Sequence, residues 1–320
     1  MLIQALAFAL MAQPPIPPGA LVDLGGQRLH VYCTGHGSPT VLLEAGTGDF
    51  SVIWSLVQPR VAAFSRVCSY DRGGYAWSDP GARPRTFAQL ALELHTALSR
   101  AHVGPPYVLV GQSYGGLVVR GFADRYRAEV VGMVLVDAVH EDQHIVYGGR
   151  AHRIRDDAKG RPVPAPALAL DTAMLRQARD SQVRALTGPL ESPLDRLPAS
   201  AQRVWRWAAS LPVYRMAQRA ELDWSPEELA RMHDARLTGR STLADLPLIV
   251  LARTHGDDSL ETERRSLQAD LARLSTRGQL IFAKHSGHNI HVEDPDLVVR
   301  AIRRVVTVRR PTAASPSGSK

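Results

Sequence analysis

Residues 108–119, Val-Leu-Val-Gly-Gln-Ser-Tyr-Gly-Gly-Leu-Val-Val, limit what this chain can fold into more than any other stretch. An apolar run rich in β-branched residues stops at Gly111-Gln112-Ser113-Tyr114-Gly115, and a helix-compatible segment (117–126) starts at once. That order predicts a strand, a very tight turn and a helix. Gly111 and Gly115 carry no Cβ, so strand and helix can approach closely while Ser113 is held at the tip in a normally unfavourable backbone conformation. Its hydroxyl then projects beyond the sheet, with the amino end of a helix behind it to stabilise negative charge. The bare five-residue pattern also fits a glycine-rich turn whose serine merely caps the helix; the flanking strand and helix favour a nucleophile.

Around this stretch the pattern alternates between strand and helix. Residues 21–24 and 27–33, separated by Gly25-Gly26, read as an opening β-hairpin. Further strands are expected at 40–44, 66–70, 107–110 and 130–137, then at 248–252 and 279–283. Leu90, Leu94 and Leu98 recur at helical spacing within 86–101, and 116–126, 260–274 and 297–306 are also helical. Alternation of this kind predicts an α/β fold, a mostly parallel eight-stranded sheet with helices on both faces.

From 138 to 243 strand signals vanish, and the segment reads as a helical cap inserted after the sixth strand. Ser225-Pro226-Glu227-Glu228 has the form of a helix start, with Ser225 as cap and Glu228 reaching back. Trp205, Trp207, Tyr214 and Trp224 are either the core of this helical unit or the lining of an apolar pocket. An insertion at this point lies over the carboxyl ends of the strands, where open α/β sheets bind ligands. The expected organisation is therefore a core of 20–137 and 244–308 with a cap of 138–243, and the last dozen residues, 309–320, read as disordered.

The 38 lysines and arginines against 31 acidic residues give a net charge of +7. Many of the arginines lie between 150 and 240 rather than on one short stripe, and no aromatic-interleaved patch accompanies them, so a solvated face is expected rather than a nucleic-acid surface. Residues 1–12 are apolar and run into a proline-rich connector within 1–19; they read as a signal peptide or anchor remnant, too short to span a bilayer. Export or anchoring is favoured, and membrane contact is expected only through this segment. The sequence leaves oligomeric state open.

A serine hydroxyl near neutral pH needs a base within hydrogen-bond reach and a third group to orient that base. Of twelve histidines, His288 is the best placed, because Ser286-Gly287-His288 follows the last apolar strand and precedes the terminal helix. Glu293-Asp294-Pro295 then anchors the loop; His285 and His291 are neighbours that could equally be structural. For the acid, Asp137 ends its strand directly, while Asp257 and Asp258 lie in a polar loop beyond the next one; Asp137 is preferred and the other two stay open. Negative charge on an intermediate needs donors, and the amides of Tyr114 and Thr47 are the candidates, the latter in the glycine-bearing loop 44–49. That loop lacks the lysine of a nucleotide-binding loop, and the histidines and two cysteines show no zinc spacing, so neither cofactor nor metal is expected.

Gly111 to Gly115, the run Tyr70-Asp71-Arg72-Gly73-Gly74-Tyr75-Ala76-Trp77-Ser78, and Gly287-His288 together resemble the α/β-hydrolase superfamily, close to its esterase and lipase-like members. The resemblance spans roughly 21–306, the cap excepted. It implies Ser113 as nucleophile, His288 as base, the Thr47 and Tyr114 amides as oxyanion hole, and hydrolysis of a small carboxylic ester. Lactone, amide or carbon-carbon hydrolysis by the same residues remains open, as does a small-molecule receptor on the same fold. The superfamily's strand order also implies that Cys33 and Cys68 face each other, either as a disulfide worth about 3 to 4 kcal/mol or as two buried thiols.

Overall fold

Val108 and Val110 point to one side of their strand and Tyr107 and Leu109 to the other, yet all four are buried. Such a strand must be covered on both faces. A computed structural model describes residues 14–168, 172, 188–240, 243–254 and 260–308. In it β1 (Ala20–Asp23), β2 (Arg28–Thr34), β3 (Thr40–Glu44), β4 (Val67–Tyr70), β5 (Tyr107–Gln112) and β6 (Val130–Val136) are followed by a small hairpin, β7 (His144–Tyr147) and β8 (Arg150–Arg153), and then by β9 (Leu248–Arg253) and β10 (Gly278–Ala283). The large sheet runs β1-β2-β4-β3-β5-β6-β9-β10. Only β2 runs against its neighbours; every other pairing is parallel.

Two apolar layers follow from the period of two along the strands. Leu42, Leu109, Met133 and Val250 face the side covered by α1 (Phe87–Arg100), α2 (Gly115–Arg125) and α6 (Glu261–Ala272). Val41, Val110, Val134 and Leu251 face α7 (Pro295–Thr307), which contributes Val298, Ile302 and Val305. Thr86 accepts a hydrogen bond from the Gln89 amide and so starts α1, and Asp294 does the same for α7 through the Leu297 amide.

Cys33 and Cys68 are directly opposed in the β2–β4 pair and joined by a disulfide with S–S 2.08 Å. The segment between β6 and β9 carries α3 (Ala199–Ser210), α4 (Pro212–Asp223) and α5 (Ser225–Leu237).

Two expectations need correction there. The inserted segment is not free of strands, since β7 and β8 pair across Gly148-Gly149. Ile145, Val146 and Tyr147 stand exposed on that hairpin, so it has no buried face whose periodicity could announce it. Nor does Ser225 cap α5. Its hydroxyl donates to the Glu221 carbonyl, and Glu228 instead accepts the Phe87 amide at the start of α1, because a long-range partner outcompetes the local box. Residues 1–13, the acidic loop at 257–258 and the tail 309–320 lie outside the described residues. Among the described residues no helix is long and apolar enough to cross a membrane.

Candidate active site

Ser113 sits between β5 and α2 with φ +52°, the left-handed region that a side chain normally avoids. The cost is held by bonds on both sides: the Ser113 amide donates to Val136 O (3.1 Å), and its carbonyl accepts from the amides of Gly116 (3.0 Å) and Val139 (3.1 Å). A Cβ on Gly111 would stand 2.5 Å from the Gly115 carbonyl oxygen, and one on Gly115 would stand 2.6 Å from the carbonyls of Glu44 and Ala45. Both glycines are therefore demanded by the closeness of strand, turn and helix.

Asp137 follows β6 and also has a positive φ, +41°. Its amide donates to Leu251 O (2.7 Å) and its Oδ1 accepts from the Arg253 amide (3.2 Å), so the carboxylate is fixed between β6 and β9. Oδ2 lies 2.6 Å from His288 Nδ1. The side chain of Asp137 is 6% exposed and that of His288 40%, so a shielded carboxylate fixes an imidazole that is itself partly open. With Nδ1–H donating to Asp137, the lone pair falls on Nε2, the tautomer a general base requires. That Nε2 lies 3.4 Å from the side-chain amide of Gln112, the residue before Ser113. No hydrogen bond joins Ser113 to His288 among the described residues, and such contacts commonly tighten only when substrate is bound.

The sequence profile of the alpha/beta hydrolase family matches residues 17–301. The chain belongs to the α/β hydrolase family. An AB hydrolase superfamily protein of Gibberella zeae is 25% identical over 287 residues, covering 85% of this chain and 87% of its own length. A Hormonema carpetanum protein named as a probable transporter, efuK, is 27% identical over 306 residues; 89% of this α/β hydrolase aligns, yet it spans only 42% of that protein. Among solved structures, a thermophilic esterase from Thermogutta terrifontis superposes with TM-score 0.58 at 21% identity, covering 90% of this chain and 97% of the esterase. The epoxide hydrolase CorEH superposes with TM-score 0.59 at 20% identity, covering 89% and 96%. These likenesses are of fold.

In this α/β hydrolase the loop after β3 abuts the serine: a Cβ on Gly46 would fall 3.2 Å from Ser113 Cβ. Thr47 is the next residue of that loop. The loop is gripped from beneath by Arg72, whose side chain is 2% exposed. Nε and Nη2 of Arg72 donate to the two oxygens of Glu221 on α4 (2.6 and 3.1 Å). Nη1 donates to Glu44 (2.5 Å) and Ala45 O (2.7 Å), and Nη2 also to Gly46 O (2.8 Å). All five guanidinium hydrogens are thus committed. Burial pushes the Glu44 carboxyl above its ordinary range, against the pull of Arg72, and Tyr70 hydrogen-bonds to it. Tyr75 donates to Glu221 (2.9 Å). From above, Tyr214 of α4 donates to Gly48 O (2.9 Å) and Trp205 of α3 approaches Asp49 (3.5 Å).

The aromatic group therefore has more than one role. Trp205, Trp207 and Tyr214 pack around Phe50 and Tyr75, while Trp224 stands apart with Arg161 over its ring at 4.2 Å. Sequence reasoning singled out neither Glu221 nor Gln112. Arg72 lay within a motif already noted, but nothing local marks Glu221 as its partner 149 residues away. Glu221→Gln is expected to lower stability by about 3 kcal/mol, because a buried guanidinium loses one of its two carboxylate partners. Urea unfolding of the two proteins checks this, and equal midpoints would refute it.

The decoy histidines separate cleanly. His285 is exposed. His291 is fully buried beside Trp54, with ring centroids 4.8 Å apart and both ring nitrogens without a partner among the described residues. Burial, helped by the nearby His288, pushes its pKa down from 6.5 to about 3. Below pH 6.5 the unfolded chain takes up a proton that the native state refuses, so stability falls as pH drops from 6.5 towards 3. His291→Phe should therefore lose less stability than the parent between pH 7 and about 4.5. Parallel denaturant titrations at the two pH values measure this, and identical losses would count against it.

Proposed function

We propose that this α/β hydrolase cleaves carboxylic esters through an acyl-enzyme on Ser113. The observation that carries the reading is the 2.6 Å Asp137–His288 contact, whose other ring nitrogen lies 3.4 Å from the side chain of Gln112, the residue before Ser113. His288 Nε2 takes the hydroxyl proton as Ser113 Oγ attacks the ester carbonyl, and the carbonyl oxygen becomes an oxyanion facing the amides of Thr47 and Tyr114. Asp137 stabilises the imidazolium. The carbon–oxygen bond to the alcohol then breaks, and His288 returns the proton to the leaving oxygen. Water enters, gives its proton to His288, attacks the acyl carbon, and releases the acid and free Ser113.

The inserted helices act as a cap in this scheme, with Tyr214 and Trp205 resting on the loop that receives the oxyanion. A serine at the turn suits acyl transfer, whereas dehalogenase and epoxide-opening chemistry in related enzymes is expected to use a carboxylate there. The reading is tested with a fluorophosphonate. Ser113 Oγ displaces fluoride from phosphorus, so the peptide containing Ser113 gains the phosphonyl group in place of a proton while esterase activity disappears. Full activity with no label on that peptide would overturn the assignment. An ester panel of varied acyl length would then define the substrate class.

A further inference from the structure

Gln112 ends β5 immediately before Ser113 and is 1% exposed. Its side chain stands between the loop after β3 and the loop bearing His288. Oε1 lies against Gly46, where a Cβ would come within 2.4 Å of it. Nε2 lies 3.4 Å from His288 Nε2 and 3.5 Å from His288 O. Oε1 is buried without a partner among the described residues. A methionine would fill the same space without that unpaired acceptor, so the amide calls for a reason. The reason lies at its other end. A main-chain carbonyl only accepts, so the contact with His288 O fixes the NH2 end toward the imidazole. That nitrogen meets Nε2 as a donor only where Nε2 holds a lone pair. Asp137 favours the same tautomer from the opposite edge, through Nδ1–H.

We propose that Gln112 is a positioning residue for the reaction assigned to this site, its side-chain NH2 holding the neutral His288 ring at Nε2 while Asp137 holds it at Nδ1. The inference rests on His288 acting as the base. A donor at the lone pair stabilises the unprotonated ring, so its removal lets the ring take up a proton at higher pH. The other groups facing this ring are Asp137, with Arg253 Nη1 3.6 Å from its Oδ2, and Asp49 and His291, which both feel the His288 charge. All four stay in place when Gln112 alone is changed, so their influence cancels in the comparison.

The test follows the rate at which a fluorophosphonate labels Ser113 between about pH 5 and 9 in the whole protein and in Gln112→Met and Gln112→Glu. Gln112→Met keeps the length and loses the donor. Its acid limb should move up by about half a pH unit and its plateau rate fall about tenfold, with the thermal midpoint not lowered, since the unpaired acceptor is lost as well. Gln112→Glu sets an acceptor against Nε2 and should move the limb further in the same direction. A Gln112→Met profile that superimposes on that of the parent, or a plateau loss with an unmoved acid limb, overturns the proposal. Should neither variant fold, the parent decides: the 15N-labelled side-chain amide of Gln112 should shift with the same midpoint as the His288 ring, and an amide that stays still across that titration overturns the proposal. A parent whose Ser113 takes no label removes the nucleophile reading instead, and the amide titration then decides the Gln112–His288 contact by itself.

Discussion

Ser113→Ala is expected to lower kcat/KM for p-nitrophenyl acetate by about 10⁵-fold or more while leaving the fold intact. The size follows from the proposed role: a nucleophile that forms the acyl-enzyme is removed, and only transition-state binding by the amides assigned to the oxyanion survives. The fold should hold because the strain at this position belongs to the backbone. A φ of +52° costs alanine about what it costs serine, and the hydrogen bonds that pin the turn come from main-chain atoms of Ser113, Gly116, Val136 and Val139. Thermal midpoints of parent and variant should therefore agree closely. A variant that keeps its hydrolysis rate would end the nucleophile assignment.

Asp137→Asn should lower kcat by about 10⁴-fold, with KM little changed. The amide can still accept the Arg253 N–H through Oδ1 and tolerates the positive φ of 41°. What it cannot do is accept a proton donor at Nδ1 with a full negative charge. If its NH2 faces the ring instead, Nδ1 becomes the acceptor and the proton moves to Nε2, where it blocks the base. The companion variants Asp257→Asn and Asp258→Asn lie outside the described residues and should change turnover by only a few-fold. Turnover lost in either of those, but kept in a folded Asp137→Asn, would move the acid to the later loop.

Much of this molecule is written in local pattern. The apolar run into Ser113, the leucine spacing of α1 and the Asp294-Pro295 start of α7 each act over a few residues, so periodicity and caps reveal them. The placement of Asp137 at the end of its strand could be read for the same reason, since a residue that directly ends a buried strand has little freedom to move. What escaped is long-range. Glu228 abandons its own helix start to serve the Phe87 amide 141 residues away, and Glu221 finds Arg72 149 residues away in sequence. The exposed hairpin β7–β8 escaped for the opposite reason, having too little burial to impose a pattern.

Arg72 makes the inserted helices something other than an interchangeable lid. A single guanidinium holds two carbonyls of the loop beside Ser113 with one side and a carboxylate of α4 with the other. Transplanting a foreign insert onto this core would leave that cation facing an unmatched surface unless the graft brought an acid to the place of Glu221. Diversification of the region over evolutionary time is thereby channelled: the exposed tip of the β7–β8 hairpin is free to drift, while Glu221 and Tyr214 of α4 and Trp205 of α3 must travel with the core.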